Sequence, residues 1–116
     1  MKITLERVYS DPENKASVRI LCDRLWPRGI KKSELKHDLW AKEITPTSAL
    51  RKWYHEHNDF ESFRKKYLAE LAENKQSEEF IQYVVKHDDI TLLTAAKIIE
   101  KSHLPILKEY IKKNIP

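Results

Sequence analysis

One short stretch of the chain concentrates side chains with chemical reach: Asp23-Arg24-Leu25-Trp26-Pro27-Arg28-Gly29, with Lys32 just behind it. Guanidinium forks bind carboxylates and phosphates bidentately, so Arg24 and Arg28 suit an anion and Lys32 adds charge. Asp23 can orient an arginine or accept a proton; an Asp23–arginine pair that only fixes the loop is the architectural alternative. Trp26 can cover a ligand by stacking on it, or pack the loop onto the domain. Far along the chain, Thr94, Lys97 and His103 form a second polar group. His103 is the best proton carrier because imidazole titrates near neutrality and a loop enters a helix there; a capping or surface histidine is the other reading. Asp23 and His103 are therefore the candidate catalytic pair. Arg24, Trp26, Arg28, Lys32, Thr94 and Lys97 are the candidate ligand-binding set.

These groups need elements to position them. The loop follows an apolar run at residues 17–22, which suits a strand buried on both faces, and Pro27 and Gly29 punctuate what comes after. A first strand is predicted over 3–8, with Ile3 and Leu5 on one face and Val8 on the other, broken by Asp11-Pro12-Glu13-Asn14. Leu39 to Ile44 suits a third short strand or a helix. Helical spacing then places Leu50, Trp53 and Tyr54 on one face. Asn58 is predicted to cap the next helix, with Glu61 in capping-box register and Phe60, Phe63, Tyr67, Leu68 and Leu71 as its stripe. A further helix from near Ser77 buries Phe80, Ile81, Val84 and Val85, and Ile90 to Ala96 reads as the second clear core strand. Pro105 is tolerated only in a first turn, so the closing helix starts near Ser102 and buries Leu104, Leu107, Tyr110 and Ile111.

The expected fold is one α/β domain over residues 1–116, with a mainly parallel sheet of three to four strands flanked by helices. If the strands at 17–22 and 90–95 are parallel neighbours, their carboxyl ends bring Asp23, Arg24 and Arg28 beside Thr94, Lys97 and His103. Open parallel sheets bind ligands just outside such ends.

Composition excludes several classes. One glycine, Gly29, cannot write a Walker A loop or a GxGxxG fingerprint, so neither backbone cradle for ATP or NAD exists and no cofactor is predicted. One cysteine, Cys22, excludes an internal disulfide and reads as a core residue. His55 and His57 fall on different helical faces, and no metal is predicted. No GxSxG elbow occurs. Trp53 reads as core and Trp40 as structural. The net charge of +4 comes from 22 basic against 18 acidic residues, too mixed for a dedicated nucleic-acid face. No stretch has the length or apolarity of a signal peptide or membrane helix, which predicts a cytoplasmic protein and no membrane partner.

The ordered set Asp23-Arg24-Leu25-Trp26-Pro27-Arg28-Gly29, Asp38-Leu39-Trp40 with Lys42, Pro46 ahead of Leu50 to Tyr54, Phe63, Tyr67, Glu70-Leu71, Thr91 to Lys97, and His103 before Leu107-Lys108 resembles the YeaO-like branch of the proteins called domain of unknown function 488. The resemblance spans nearly the whole chain. It implies a small bacterial α/β domain and brings no assigned reaction or cofactor. In the wider family an aspartate-arginine segment follows one strand and a histidine follows the last, similar to Asp23-Arg24 and His103. The chain departs from the pattern at Ile98, where relatives tend to be acidic, and at Ser102, where they tend to carry asparagine. The expected function is recognition of a small anionic molecule at the strand ends, with a nucleotide-like ligand among the candidates and catalysis left open. A non-enzymatic nucleic-acid or protein interaction domain is the alternative.

Overall fold

The two apolar runs pair as parallel neighbours, and the rest of the architecture follows from that pairing. The computed structural model describes residues 1–10, 12 and 16–115. Among these residues four strands, β1 (Lys2–Arg7), β2 (Val18–Leu21), β3 (Leu39–Trp40) and β4 (Asp89–Thr94), form one sheet in the order β1-β4-β2-β3. Every pair is parallel, with Ile3 and Val18 both opposite Ile90, Leu5 and Ile20 both opposite Leu92, and Leu21 opposite Leu93. Lying between two neighbours, β4 is the most deeply buried strand, and its Ile90, Leu92 and Leu93 are fully buried. This is why its sequence reads as a continuous apolar run rather than an alternation.

Three helices, α1 (Ser48–His57), α2 (Phe60–Glu73) and α3 (Gln76–Val84), bridge β3 to β4, and α4 (Leu104–Asn114) closes the chain. All four pack on one face of the sheet. There Ile3, Ile20, Cys22, Ile90 and Leu92 meet Phe63, Tyr67, Leu71, Phe80, Val84, Leu107 and Ile111. Burying each large apolar side chain contributes about 1.5–3 kcal/mol. The opposite face carries a smaller cluster of Val8, Leu21, Leu35 and Leu93, closed by Trp26, Ile30 and Trp40. Helices thus flank only one side, and the other is capped by the segment between β2 and β3. That cap is tied down by Arg19, whose Nε donates to the Lys36 carbonyl at 2.8 Å and whose amide donates to Asp38 Oδ2 at 2.8 Å. The Arg19 guanidinium pairs with Glu6 at 3.3 Å beneath the cap.

Local readings shift at element ends. The third strand is two residues long, because the backbone leaves the extended region at Ala41 and tightens into a 3₁₀ turn over Lys42–Ile44. Asn58 does not cap α2. It terminates α1 in the left-handed conformation at φ 51°, and Asp59 caps α2 by accepting from the Ser62 amide. Asparagine tolerates that backbone region, which makes it a good helix stop. Val85 ends α3 and is 40% exposed rather than core. The closing helix begins at Leu104 with Pro105 in its first turn. The predicted break at Asp11 to Asn14 lies, apart from Pro12, outside the described residues.

Candidate functional site

Asp23 is the first polar residue beyond β2, and it faces the end of β4 directly. Its Oδ1 accepts from the Thr94 hydroxyl at 2.7 Å and its Oδ2 from the Ala95 amide at 2.7 Å. Thr94 Oγ1 in turn accepts from the Ala96 amide at 3.2 Å. The Asp23 carbonyl is held by Trp40 Nε1–H at 2.7 Å. A carboxylate engaged through both oxygens by charge-assisted bonds fastens two strand ends together. Geometrically it is a staple.

His103 sits where the connection from β4 enters α4. Its Nε2 lies 2.5 Å from the Cys22 carbonyl and 3.7 Å from Asp23 Oδ1. A carbonyl only accepts, so Nε2 carries the proton and the neutral ring keeps its lone pair on Nδ1. Burial pushes the His103 pKa below its ordinary value and the nearby Arg51 charge adds to this, while Asp23 and the Cys22 carbonyl act in the opposite sense. Burial thus favours the neutral imidazole. Cys22 is fully buried, its Sγ–H donating to the Ile20 carbonyl. Burial, reinforced by the Asp23 charge, pushes its thiol pKa so far up that no thiolate forms near neutrality.

The arginines divide by role. Arg24 donates from Nε and Nη2 to the Pro46 carbonyl and from Nη2 to the Thr45 carbonyl, at 3.2–3.4 Å. It thereby holds the approach to α1, whose first turn is capped by Thr47 Oγ1 accepting from the Leu50 amide at 3.1 Å. Arg28 lies exposed on the loop, and its carbonyl accepts from the Tyr9 hydroxyl at 3.0 Å. The connection after β4 is fixed from below by Arg7, which donates from Nε to the Ala96 carbonyl at 2.9 Å.

These supports leave an open cleft of about 380 Å³ at the carboxyl ends of β2 and β4. Asp23, Arg24, Trp26, Arg28, Thr94 and His103 all line it. Lys97 and Lys32 do not. Lys97 is exposed on the bend after β4. The Lys32 ammonium lies over Trp26 and Trp40, 5.9 Å from each ring. Trp26 contributes to the wall, yet its Nε1–H is donated to the Ile30 carbonyl at 2.6 Å and its ring meets Trp40 edge-on at 5.4 Å. It packs the loop first. Thr94 is 1% exposed and its hydroxyl is consumed by Asp23, so it shapes the floor.

Of the charged and aromatic lining residues, Tyr9 and Arg51 were not among the nominated site residues. Tyr9 carried no signal, being a lone aromatic after an edge strand. Arg51 did carry one. Ser48, Arg51, Lys52 and His55 stand at i, i+3, i+4 and i+7 on α1, a polar basic face opposite the apolar one. Attention to the core-facing stripe passes over it. Among the described residues no group of three or more His, Cys, Asp or Glu side chains is placed to hold a metal ion.

Fold and cleft together define a small parallel α/β domain with an arginine-rich pocket at its strand ends. The chain belongs to the DUF488 family: the profile of the inactive DUF488-N3 subclade matches residues 2–116. It is 44% identical over 113 residues to the uncharacterized protein YeaO of Escherichia coli (strain K12), covering 97% of this chain and 98% of that one. It is 30% identical over 111 residues to the uncharacterized proteins Rv3073c of Mycobacterium tuberculosis (strain ATCC 25618 / H37Rv) and Mb3100c of Mycobacterium bovis, covering 95% of this chain and 93% of each. No solved structure gave a significant match. Among the described residues no helix is long and apolar enough to cross a membrane.

Proposed function

We propose that this domain binds a small anion in the cleft at the carboxyl ends of β2 and β4 and does not turn it over. The observation that carries the reading is the charge of the lining. Arg24, Arg28 and Arg51 converge on a cleft in which the one carboxylate among the described lining residues, Asp23, is already engaged through both oxygens. Three guanidinium groups against one internally satisfied acid leave a net positive hollow, and a concave low-dielectric wall focuses that field on an anionic ligand. Arg28 and Arg51 would supply bidentate contacts. Arg24, clamped to the Thr45 and Pro46 carbonyls, would contribute field and the Nη1 that these bonds leave over.

Several features support binding over catalysis. The Cys22 thiol is buried and protonated, so it is no nucleophile. Asp23 and His103 are adjacent, but the histidine proton is donated to the Cys22 carbonyl rather than to the carboxylate, so the pair lacks the relay in which an acid orients a base. The subclade's description as inactive agrees with that arrangement. Inorganic phosphate is the test ligand. A thermal-shift titration should show concentration-dependent stabilisation of the wild type. Arg28→Ala and Arg51→Ala should each weaken apparent affinity by about tenfold, the equivalent of about 1.4 kcal/mol. Both side chains are exposed, so neither change threatens the fold. Equal responses from wild type and both variants would sink the reading.

A further inference from the structure

The cleft does not end at Arg51. A second, larger hollow of about 620 Å³ shares Arg51, Ala96 and His103 with it and runs between α1 and the connection from β4 to α4. We infer that the two hollows form one groove for an elongated small molecule carrying two anionic groups, one seated in each lobe; this rests on the anion-binding reading of the first lobe.

Charge placement carries the inference. Among the described residues no aspartate or glutamate lines the larger lobe. Its cations are Arg51 and Lys52 on α1 and Lys101 on the 3₁₀ turn Ile99–Lys101 across the groove. Together with Arg24 and Arg28 of the first lobe they make five cationic side chains along the groove, and none has an ion pair among the described residues. Cations collected on facing walls, with Asp23 the one carboxylate among the described lining residues of either lobe, make a field that a single small anion would only half use.

The larger lobe's aromatic groups are already committed, which argues against an anion joined to a stacked ring. Tyr54 lies flat on Phe63 at 4.1 Å, and its hydroxyl donates to the Lys101 carbonyl at 2.8 Å. Phe63 is 2% exposed. That same tyrosine bond fixes the Lys101 backbone to α1 and so sets the width of the lobe. At the junction stand Arg51, able to contact either anionic group, and Ala96, whose small side chain leaves room for a spacer.

Linked groups that occupy both lobes gain affinity because the second contact becomes intramolecular. NMR titrations at low salt would compare inorganic phosphate with fructose 1,6-bisphosphate, used as a probe with two phosphates on one spacer. The bisphosphate should bind roughly 10- to 100-fold more tightly than phosphate. The double variant Lys52→Ala/Lys101→Ala should erase that margin while leaving phosphate affinity within about twofold, since its residues lie outside the first lobe. Arg28→Ala should weaken both probes. Phosphate binding without any bisphosphate advantage would overturn the two-lobed groove and leave the first lobe standing, whereas loss of all phosphate binding would remove the anion-binding reading beneath it. An oligothymidylate that binds where the bisphosphate does not would overturn the assignment in favour of a nucleic-acid strand.

Discussion

Replacing Asp23 with alanine tests the staple between β2 and β4. Two donors lose their acceptor at once: the Thr94 hydroxyl, 1% exposed, and the half-buried Ala95 amide, each 2.7 Å from a carboxylate oxygen. Hydrogen bonds to a charged group contribute about 1.5–3 kcal/mol each, and a buried donor left without a partner costs about 1–3 kcal/mol. Asp23 itself is 17% exposed, so water can reach the amide more readily than the hydroxyl. The expected loss is about 2–5 kcal/mol, a large part of the roughly 5–15 kcal/mol that holds a domain folded. Urea unfolding of the wild type, Asp23→Ala, Thr94→Val and the double variant supplies a cycle that isolates the pair. Their coupling energy should be about 1–2 kcal/mol, because each partner's removal strands the other. Asp23→Asn keeps the size but presents an amide to one of the two donors, and should recover less than half of the loss. Additive single effects, or an Asp23→Ala cost below about 1 kcal/mol, would refute the staple and reopen Asp23 as a free acid or base.

Further outcomes follow from the same geometry. His103 has a folded pKa below its ordinary 6.5, so the unfolded chain binds its proton first and stability should fall as pH drops from above 6.5 toward the folded value; urea unfolding across pH 5–8 should show that slope in the wild type and a shallower one in His103→Gln. Cys22 should resist a thiol-specific disulfide reagent in the native state and react promptly in denaturant, because its protonated sulfur is buried; fast native labelling would contradict the packing. Glu109, which accepts from Arg64 Nε at 2.8 Å, has its carboxyl held down to about 2 by that arginine and by Lys113. Its contribution should be present above its ordinary 4.5 and vanish as pH falls through about 2, and Glu109→Gln should cost about 0.5–1 kcal/mol at pH 7 by urea unfolding. Gly29 has φ +77°, so Gly29→Ala should destabilise the loop by about 1 kcal/mol although no atom obstructs the new methyl group.

Much of this domain could be read along the chain, and particular residues show how far. Ile90, Leu92 and Leu93 could be recognised as a core strand because a central parallel strand has no polar face. Phe63, Tyr67 and Leu71 repeat at the helical period, so α2 and its buried stripe were legible. The boundary at Asn58 was not, because asparagine caps either end of a helix and only the backbone's left-handed turn distinguishes them. Within the cleft, Asp23, Arg24, Arg28 and His103 could be nominated from residue type and topology. Lys32 and Lys97 could not be separated from them, since side-chain direction depends on how the loop folds: one lysine lies over two tryptophans and the other stands in solvent.

By itself the sequence determined the fold class, the burial of the β2 and β4 runs, and the exclusion of glycine-rich phosphate loops, because periodicity and composition are properties of the chain. Which arginine clamps a backbone and which faces the cleft was decided only by tertiary structure. Arg24 reaches carbonyls that precede α1, and Arg51 enters the site from α1. Asp23 likewise becomes a staple through donors at Thr94 and Ala95, contacts that exist only once two distant strands lie side by side. Hydrogen-bond partners and ion pairs depend on distances across the sheet, and no local pattern encodes those distances.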